Sequence, residues 1–267
     1  FEGPEEDLML TENTQPAILT TSIAILRVLK QEGLTCDYTA GLSLGEYCAL
    51  INAESLEFSE AVKLVQNRGV YMQKSVPKGQ GKMGAIVGLS SDYLKEVIDF
   101  AKKEGIIEVA NYNTHEQIVI SGEKNAVKKA LKKAKELGAR KALPLLVSAP
   151  FHCSMLEPAG ELLKKDLDKI SFNKLKIPVV NNVDAKIITN QEEIYTSLIR
   201  QVSNSVLWHQ SVELLLYEGV RKFIEIGPGT TLSNFVKAIA SNLQIEVQSE
   251  SVGDLEGLKN MRKLLKD

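Results

Sequence analysis

The segment 41–45, Gly-Leu-Ser-Leu-Gly, has the Gly-x-Ser-x-Gly spacing of a nucleophile elbow, in which a serine hydroxyl attacks an acyl group. A short strand-like segment precedes it, and the apolar, helix-compatible segment 46–51 follows. The two glycines would let strand and helix approach closely, with Ser43 exposed on the turn between them. The backbone N–H of Leu44 would then lie at a helix N-terminus, where it can stabilise an oxyanion. The same spacing also occurs in ordinary turns of small residues.

A serine of this kind needs a base that takes its proton, and the chain has three histidines. His152 follows a predicted strand at 143–147, and catalytic groups of open α/β sheets collect beyond the carboxyl ends of strands. We therefore predict that His152 is the base. His115 falls in a polar turn and His209 at the start of a helix, so surface and capping roles are expected for them. Cys153 has no elbow of its own and is interpreted as structural.

The group that would orient the imidazole is not evident from the sequence. Many carboxylates lie between Ser43 and His152 in chain order, but those within 81–147 mostly fall on solvated helices. Either an ordinary carboxylate or a backbone carbonyl would have to perform this role.

A charged residue interrupts an apolar helix face. In the predicted helix 59–74, Ala61, Val65 and Met72 form an apolar stripe, and Arg68 falls on it. A guanidinium on an inward face is costly unless it meets an anion, and an internal carboxylate is one candidate. A substrate carboxylate, bound through two parallel hydrogen bonds, is the other. Together with a serine nucleophile, the second hypothesis indicates an acyl donor that carries a free carboxylate.

Composition argues against several other classes of function. The chain has 267 residues with 44% hydrophobic content, and its 32 basic and 34 acidic residues give a net charge of −2. No basic stripe with aromatic residues suggests nucleic acid binding, and no apolar run is long enough to span a bilayer. The three cysteines lack metal-ligand spacing, so we predict no metal, no cofactor and a reducing, cytoplasmic setting. A monomer is expected.

Alternating helices and strands predict an α/β fold around these residues. Helices are predicted at 15–32, 59–74, 158–169, 192–201, 211–218 and after 229, and strands at 36–40, 177–183 and 222–226. Thr14 is expected to cap the first of these helices. Such alternation is typical of a largely parallel sheet that helices cover on both faces.

The middle of the chain has a different pattern. Strands at 83–87, 106–112, 117–121 and 141–147, with helices at 92–103 and 124–137, give the βαββαβ order of a ferredoxin-like unit. We therefore predict two domains. An α/β-hydrolase-like large domain with a parallel sheet comprises 1–80 and 148–267, and an inserted ferredoxin-like small domain comprises 81–147.

Several motifs, in order along the chain, resemble those of the malonyl-CoA:acyl carrier protein transacylases. They are Gly-Leu-Ser-Leu-Gly-Glu-Tyr at 41–47, Asn-Arg-Gly-Val-Tyr-Met-Gln at 67–73, Ala-Pro-Phe-His-Cys at 149–153, Asn-Asn-Val-Asp at 181–184, Arg-Gln-Val at 200–202 with Trp208, and Glu-Ile-Gly-Pro-Gly at 225–229. The resemblance covers essentially the whole chain.

The resemblance implies an activity and the residues that perform it. A malonyl group would move from malonyl-CoA to the phosphopantetheine thiol of acyl carrier protein, in fatty acid biosynthesis, through an ester on Ser43. His152 would be the general base and acid, and the main-chain carbonyl of Gln201 would orient it. Leu44 would supply one oxyanion N–H, and Arg68 would hold the malonyl carboxylate.

Three further residues are assigned to the substrate cleft by the resemblance. Leu42 stands where the family usually has histidine, a position that shapes the cleft. Phe151 resembles the malonyl-selective loop of polyketide acyltransferases. Asn111 lies in a strand-end segment that borders the cleft in this family.

The resemblance also leads to an expectation about the start of the chain. The family begins with a strand and a Pro-Gly-Gln-Gly loop whose glutamine amide completes the oxyanion hole, and 1–4 corresponds to a later point. Loss of one oxyanion donor costs about a hundred- to a thousandfold in rate. We therefore expect this sequence to belong to a longer chain or to a defective variant of one.

Three other functions stay open at the level of sequence. A discrete acyltransferase of a polyketide synthase would use the same chemistry. A serine thioesterase or esterase shares the elbow but needs no inward arginine. A non-catalytic module that docks carrier protein is the third alternative.

Overall fold

Helices and short strands alternate along the described residues, 3–147 and 149–265, of this computed structural model. The helices are α1 Glu5–Leu8, α2 Thr11–Gln31, α3 Leu44–Asn52, α4 Phe58–Ser75, α5 Ser91–Ala101, α6 Lys124–Glu136, α7 Glu157–Leu167, α8 Glu192–Ser203, α9 Trp208–Tyr217, α10 Thr231–Asn242 and α11 Leu255–Leu264. The strands are β1 Thr39–Ala40, β2 Gly81–Val87, β3 Ile107–Tyr112, β4 Gln117–Glu123, β5 Lys141–Pro144, β6 Val179–Val180, β7 Ile187–Ile188, β8 Lys222–Ile226 and β9 Gln248–Val252. Short 3₁₀ helices cover Lys102–Glu104 and Ser154–Leu156. The predicted mixed α/β class is confirmed.

The strands outside 81–147 form small sheets with parallel pairs. β1 pairs in parallel with β6, β6 pairs antiparallel with β7, and β8 pairs in parallel with β9. The predicted strands 36–40 and 177–183 were too long. Backbone groups that flank β6 bond elsewhere: the N–H of Lys176 donates to the carbonyl of Ala53, and that of Asn182 donates to the carboxylate of Glu46.

The segment Gly81–Pro144 forms an antiparallel sheet of its own. Its strand order is β3-β4-β2-β5, and the buried cluster Ile86, Val97, Ile107, Ile120 and Val127 packs α5 and α6 against it. The predicted βαββαβ order of elements is present. β5 ends at Pro144, earlier than the predicted 147, although the N–H of Leu145 still donates to the carbonyl of Met83.

The main hydrophobic core joins α2, α3, α4, α7 and α8. Its fully buried members include Leu19, Leu50, Leu64, Leu163 and Leu198. Burying one such side chain contributes about 1.5–3 kcal/mol. This core therefore fixes the helix that follows the serine, α3, against the helix that carries Arg68, α4.

The start of α2 differs from the prediction. The helix begins at Thr11, so Thr14 lies inside it, and its hydroxyl donates to the carbonyl of Leu10 at 3.0 Å. Predicting Thr14 as the cap was therefore wrong. The longer helix places Gln15 in the interior, where its side chain faces α4.

The second face of the small sheet packs against the rest of the chain. Met83, Ala110 and Val119 form a buried cluster on this face, and Val147 and Phe151 pack on it. The loop that carries His152 is thus held between the sheet and the main core, because Phe151 also contacts that core.

Candidate active site

Ser43 lies on a sharp turn directly before α3. Its backbone has φ 54° and ψ −104°, a conformation that non-glycine residues adopt only when the surrounding structure imposes it. A Cβ at Gly41 would overlap the backbone carbonyl group of Gly45, so the strand and the helix approach more closely than alanine would allow. A Cβ at Gly45 would meet nothing within 4 Å, so only the first glycine of the motif is needed for this approach.

His152 contacts the serine hydroxyl and a backbone carbonyl. Its Nε2 lies 2.8 Å from Ser43 Oγ, and its Nδ1 lies 2.8 Å from the carbonyl oxygen of Gln201. A carbonyl only accepts, so Nδ1 carries the proton and Nε2 is left to accept the proton of Ser43. The arrangement is the one that a serine nucleophile and its base require.

The environment of His152 keeps the imidazole neutral. The ring is buried, and its backbone has a positive φ of 59°. Burial, and secondly the positive charge of Arg68, lower the pKa of His152 to about 3, against a smaller opposing effect of the Gln201 carbonyl. His152 is therefore unprotonated at neutral pH, as a general base has to be.

Arg68 points from α4 to the same hydroxyl. Its Nη2 donates to Ser43 Oγ at 3.0 Å and to the Gln201 side-chain oxygen at 2.9 Å, and its Nη1 donates to Gln15 Oε1 at 2.7 Å. Helices α2 and α4 touch here because position 69 is glycine, where a Cβ would lie 2.7 Å from Glu12 Cα.

The guanidinium of Arg68 is buried without a carboxylate partner. The side chain is 2% exposed, and no ion pair among the described residues includes it. Its Nε is buried with no hydrogen-bond partner, and the ring of Tyr47 lies 5.5 Å from the guanidinium carbon. The alternative explanation from the sequence, an internal salt bridge, is therefore not found in the described part of the chain.

Side chains that the sequence analysis did not assign hold the turn of Ser43. Asn182 Oδ1 accepts the backbone N–H of Ser43 at 2.6 Å, and Gln201 Nε2 donates to the carbonyl of Ser43 at 3.0 Å. Both contact the buried Glu46, whose Oε2 lies 2.7 Å from Gln201 Nε2 and 3.1 Å from the N of Asn182. Burial raises the pKa of Glu46 to about 7, although these hydrogen bonds oppose the effect. The sequence did carry a signal for Glu46, because it is a carboxylate at the start of the otherwise apolar helical segment 46–51.

The cleft residues assigned by resemblance lie at different places. Phe151 is adjacent to His152 and packs between the small sheet and the main core. Leu42 is half-buried beside a cluster that includes Trp208. Asn111 is buried on β3 opposite Val206, and no hydrogen bond of the described residues joins its side chain to Ser43, His152 or Arg68.

The other histidines and the third cysteine lie outside this arrangement. The rings of His115 and His209 are 6.4 Å apart, and His209 Nε2 lies 3.3 Å from Glu213 Oε1. Cys153 is buried, its Sγ lies 3.2 Å from the carbonyl oxygen of Pro150, and burial raises the pKa of the thiol. None of these contacts supplies a second nucleophile–base pair.

The described residues contain neither a metal-binding cluster nor a membrane-spanning helix. No cluster of three or more histidine, cysteine, aspartate or glutamate side chains is arranged to hold a metal ion. None of the helices combines the length and the apolar character that crossing a bilayer requires.

A serine on a strained turn, a neutral histidine and a buried arginine meet at one hydroxyl, which is the set of groups that serine-dependent acyl transfer would need. The chain belongs to the acyl transferase domain family, whose model matches residues 1–263. The malonyl CoA-acyl carrier protein transacylase of Bacillus subtilis is 46% identical over 245 residues, which are 91% of this chain and 77% of that protein. The Escherichia coli K12 protein of the same name is 43% identical over 250 residues, 93% of this chain and 81% of its own length.

Solved structures give the same relationship. The malonyl CoA-acyl carrier protein transacylase of Clostridium perfringens matches with a TM-score of 0.94 at 45% identity, over 100% of this chain and 83% of that one. A malonyl-transacylase in complex with its type II polyketide acyl carrier protein matches with a TM-score of 0.94 at 40% identity, over 98% of this chain and 84% of that one.

Proposed function

We propose that the protein is an acyl carrier protein S-malonyltransferase of fatty acid biosynthesis. It moves a malonyl group from malonyl-CoA to the phosphopantetheine thiol of acyl carrier protein through an ester on Ser43. The observation that carries the proposal is the position of Ser43 Oγ, which lies 2.8 Å from His152 Nε2 and 3.0 Å from Arg68 Nη2. A base and a carboxylate-binding group thus meet at one nucleophile.

The first half-reaction acylates the serine. Ser43 Oγ attacks the thioester carbonyl while its proton passes to His152 Nε2, and an Oγ–C bond forms. Leu44 is the first residue of α3, so its backbone N–H is the donor that we assign to the developing oxyanion. The C–S bond then breaks, and coenzyme A leaves as a thiol with the proton from His152.

The second half-reaction reverses these steps on a different thiol. The phosphopantetheine thiol gives its proton to His152, and its sulfur attacks the malonyl ester. A new C–S bond forms, the bond from carbon to Ser43 Oγ breaks, and the serine recovers the proton from His152. The carbonyl of Gln201 keeps the ring oriented throughout, since it contacts Nδ1 and not Nε2.

Arg68 supplies the selectivity for a dicarboxylic acyl group. A buried guanidinium with one unpartnered N–H and no ion pair among the described residues is an incomplete site for an anion. A malonyl ester on Ser43 would bring its free carboxylate to this guanidinium, whose Nη2 already reaches Ser43 Oγ at 3.0 Å. Phe151, next to His152 in the chain, is assigned by resemblance alone to the preference, shared with Arg68, for malonyl over uncharged acyl groups.

The names of the relatives support the substrate pair. The Bacillus subtilis and Escherichia coli proteins are called malonyl CoA-acyl carrier protein transacylases. One structural relative bears a polyketide acyl carrier protein, so service to a polyketide synthase is the second candidate. Comparison of fatty acid and polyketide carrier proteins as acceptors separates the two.

The architecture that we propose has two domains. An α/β-hydrolase-like domain, 1–80 and 148–267, is supported by the elbow and by the parallel pairs β1–β6 and β8–β9. A ferredoxin-like domain, 81–147, is supported by the strand order β3-β4-β2-β5 with two helices. The boundary positions 1, 148 and 267 lie outside the described residues.

The setting of the protein stays a prediction in other respects. The cysteines Cys36, Cys48 and Cys153 are free, which supports a reducing, cytoplasmic location. A monomer that binds neither nucleic acid nor membranes is expected, and gel filtration with light scattering tests the first part.

Intact-protein mass spectrometry tests the proposed function. The protein is incubated with malonyl-CoA, and a single malonyl adduct is expected on Ser43, discharged by carrier protein and absent in Ser43→Ala. Rapid hydrolysis of malonyl-CoA without carrier protein would indicate a thioesterase instead. Absence of both adduct and hydrolysis would leave a carrier-protein docking module and contradict the proposal.

A further inference from the structure

The turn of Ser43 is held by side chains from outside its own helix. Its backbone N–H donates to Asn182 Oδ1 at 2.6 Å, and its carbonyl accepts from Gln201 Nε2 at 3.0 Å. Asn182 also donates from Nδ2 to the carbonyl of Gly41 at 2.8 Å, so it spans the turn from one end to the other. The strained φ of Ser43 therefore depends on two amide side chains.

One carboxylate oxygen contacts both residues, through the side chain of Gln201 and through the backbone of Asn182. Glu46 Oε2 accepts from Gln201 Nε2 at 2.7 Å and from the backbone N–H of Asn182 at 3.1 Å, while Oε1 accepts from Ser197 at 3.2 Å. Glu46 is 1% exposed and belongs to no ion pair of the described residues. An unpaired buried carboxylate is costly, so its retention calls for a specific role.

Gln201 also links Glu46 to Arg68. Gln201 Nε2 faces three acceptors, which are Glu46 Oε2, the carbonyl of Ser43 and, at 3.5 Å, Asn182 Oδ1. Its amide oxygen must therefore point the other way. That oxygen accepts from Arg68 Nη2 at 2.9 Å. Gln201 thus separates the carboxylate of Glu46 from the guanidinium of Arg68, and the guanidinium stays available for an external anion.

We infer that Glu46 is a positioning residue: its Oε2 fixes Asn182 and Gln201, and through them the backbone of Ser43 and the guanidinium of Arg68. The inference rests on the proposed function only in taking Ser43 as the nucleophile. The role is one of acceptor geometry, because the hydrogen bonds of Glu46 to Asn182, Ser197 and Gln201 are all accepted by the carboxylate, while the positive charge of Arg68 has a smaller effect on Glu46 than these bonds.

Two conservative substitutions separate geometry from charge. In Glu46→Gln, the amide oxygen replaces Oε2, so the contacts with Gln201 and Asn182 are kept. The amide nitrogen faces the Ser197 hydroxyl, which can accept its hydrogen bond. In Glu46→Asp the charge stays, but the carboxylate is withdrawn by one methylene and loses its contacts with Gln201 and Asn182. If Glu46 acts through acceptor geometry, Ser43 should react faster in Glu46→Gln than in Glu46→Asp. If it acts through its charge, the order should be reversed.

The test measures the rate at which Ser43 reacts. Acylation by malonyl-CoA is followed by rapid quench, and labelling by phenylmethylsulfonyl fluoride, a neutral serine reagent that has no carboxylate for Arg68, is followed in parallel. We expect Glu46→Asp and Glu46→Ala to slow both reactions about ten- to hundredfold, the scale of a misplacement near 1 Å. We expect Glu46→Gln to retain both rates within a few-fold, and the losses to appear in kcat rather than KM.

A matched control addresses general destabilisation. Glu225 accepts the backbone N–H groups of Leu232 and Ser233 at 3.0 and 2.7 Å, with no contact to the site. Glu225→Ala is expected to lower the melting temperature without slowing Ser43. If Glu46→Ala does not fold, the order of Gln and Asp decides alone.

Either of two results would overturn the inference. In the first, Ser43 reacts as fast in Glu46→Asp as in Glu46→Gln, or faster. In the second, a folded Glu46→Ala is labelled at the native rate. Failure of the proposed function looks different, since the native protein would then take no malonyl group. Sulfonyl labelling would still report on Glu46 in that case.

Discussion

Glu108, on strand β3, accepts two hydrogen bonds from Ser154, which lies two positions after His152. Its carboxylate accepts the backbone N–H of Ser154 at 2.9 Å and the hydroxyl of Ser154 at 2.6 Å. A second link lies next to it, where the hydroxyl of Ser121 on β4 contacts Cys153 Sγ at 3.5 Å. The small sheet therefore holds the loop that presents the imidazole, whose own backbone has an unfavourable positive φ.

Loss of the hydrogen bonds between Glu108 and Ser154 should allow His152 to move from its position beside Ser43. We expect Glu108→Ala to slow acylation of Ser43 by about tenfold or more, because small displacements of a catalytic group have large effects on rate. Rapid-quench measurement with malonyl-CoA checks this. Glu104→Ala is the control, since Glu104 only pairs with Lys129 on the surface, where such pairs contribute little. A native acylation rate in Glu108→Ala would show that the loop holds its shape unaided.

Arg68 should discriminate between acyl donors. Breaking a buried ion pair costs about 3–5 kcal/mol, so Arg68→Ala should reduce malonyl transfer by roughly two to four orders of magnitude. Acetyl transfer from acetyl-CoA, which has no carboxylate to pair, should be spared or improved in the same variant. Transfer to carrier protein is measured for both donors. An equal loss for the two would contradict the carboxylate role.

Substitution by alanine should change the stability of the protein differently at Gly41 and at Gly45, the two glycines of the nucleophile elbow. In Gly41→Ala the new Cβ overlaps the carbonyl group of Gly45, so strand and helix must separate, at a cost of about 1–3 kcal/mol or more. In Gly45→Ala the Cβ meets nothing within 4 Å, and stability should be unchanged or slightly higher. Urea denaturation and malonyl transfer of both variants check this. Equal destabilisation of the two would refute the close approach.

The titration of Glu46 should appear in the pH dependence of stability. Its pKa is about 7 in the folded protein and 4.5 for a free glutamate side chain, so the folded state binds more protons between these limits. Its contribution is fully present below pH 4.5 and is lost as pH rises through about 7, at about 1.4 kcal/mol per pKa unit. His152 acts in the opposite sense: its pKa of about 3 lies below the ordinary histidine value of 6.5, so its contribution is present above pH 6.5 and is lost as pH falls through about 3.

Glu46→Gln removes the first of these titrations and leaves the second. The free energy of unfolding of the variant, relative to that of the native protein, should therefore increase from pH 5 to pH 8. Urea denaturation of both proteins at each pH gives the difference directly. A pH-independent difference would show that Glu46 is ionised throughout this range.

The sequence predicted the parts of the site that repeat a local pattern. Ser43 follows from its flanking glycines, His152 from its place after a strand, and Arg68 from its place on an apolar stripe. The structure brings these three together within hydrogen-bonding distance, while their roles stay proposals.

The contacts that hold the site were harder to predict, because they join distant segments. Asn182 reaches Ser43 from 139 positions away, and Gln201 reaches it from 158. No local periodicity marks an amide side chain for such a contact. The strand lengths failed for a related reason: the N–H groups of Lys176 and Asn182 bond to a helix end and to a side chain, which propensity alone does not reveal.

The acceptor beside His152 Nδ1 is a peptide oxygen, at 2.8 Å. No exchange of the side chain at 201 deletes it, and acid does not neutralise it. Among the described residues no carboxylate contacts the ring, so nothing there raises its basicity: His152 is a weak base, and its imidazolium gives up the proton readily once formed. Acylation of Ser43 therefore depends on an acyl group that is reactive without a strong base. Thioesters, whose thiol leaving groups have pKa values near 8.5, meet that condition better than amides, whose amine leaving groups are far more basic. We expect the protein to cleave thioesters of malonate and to leave malonamides intact.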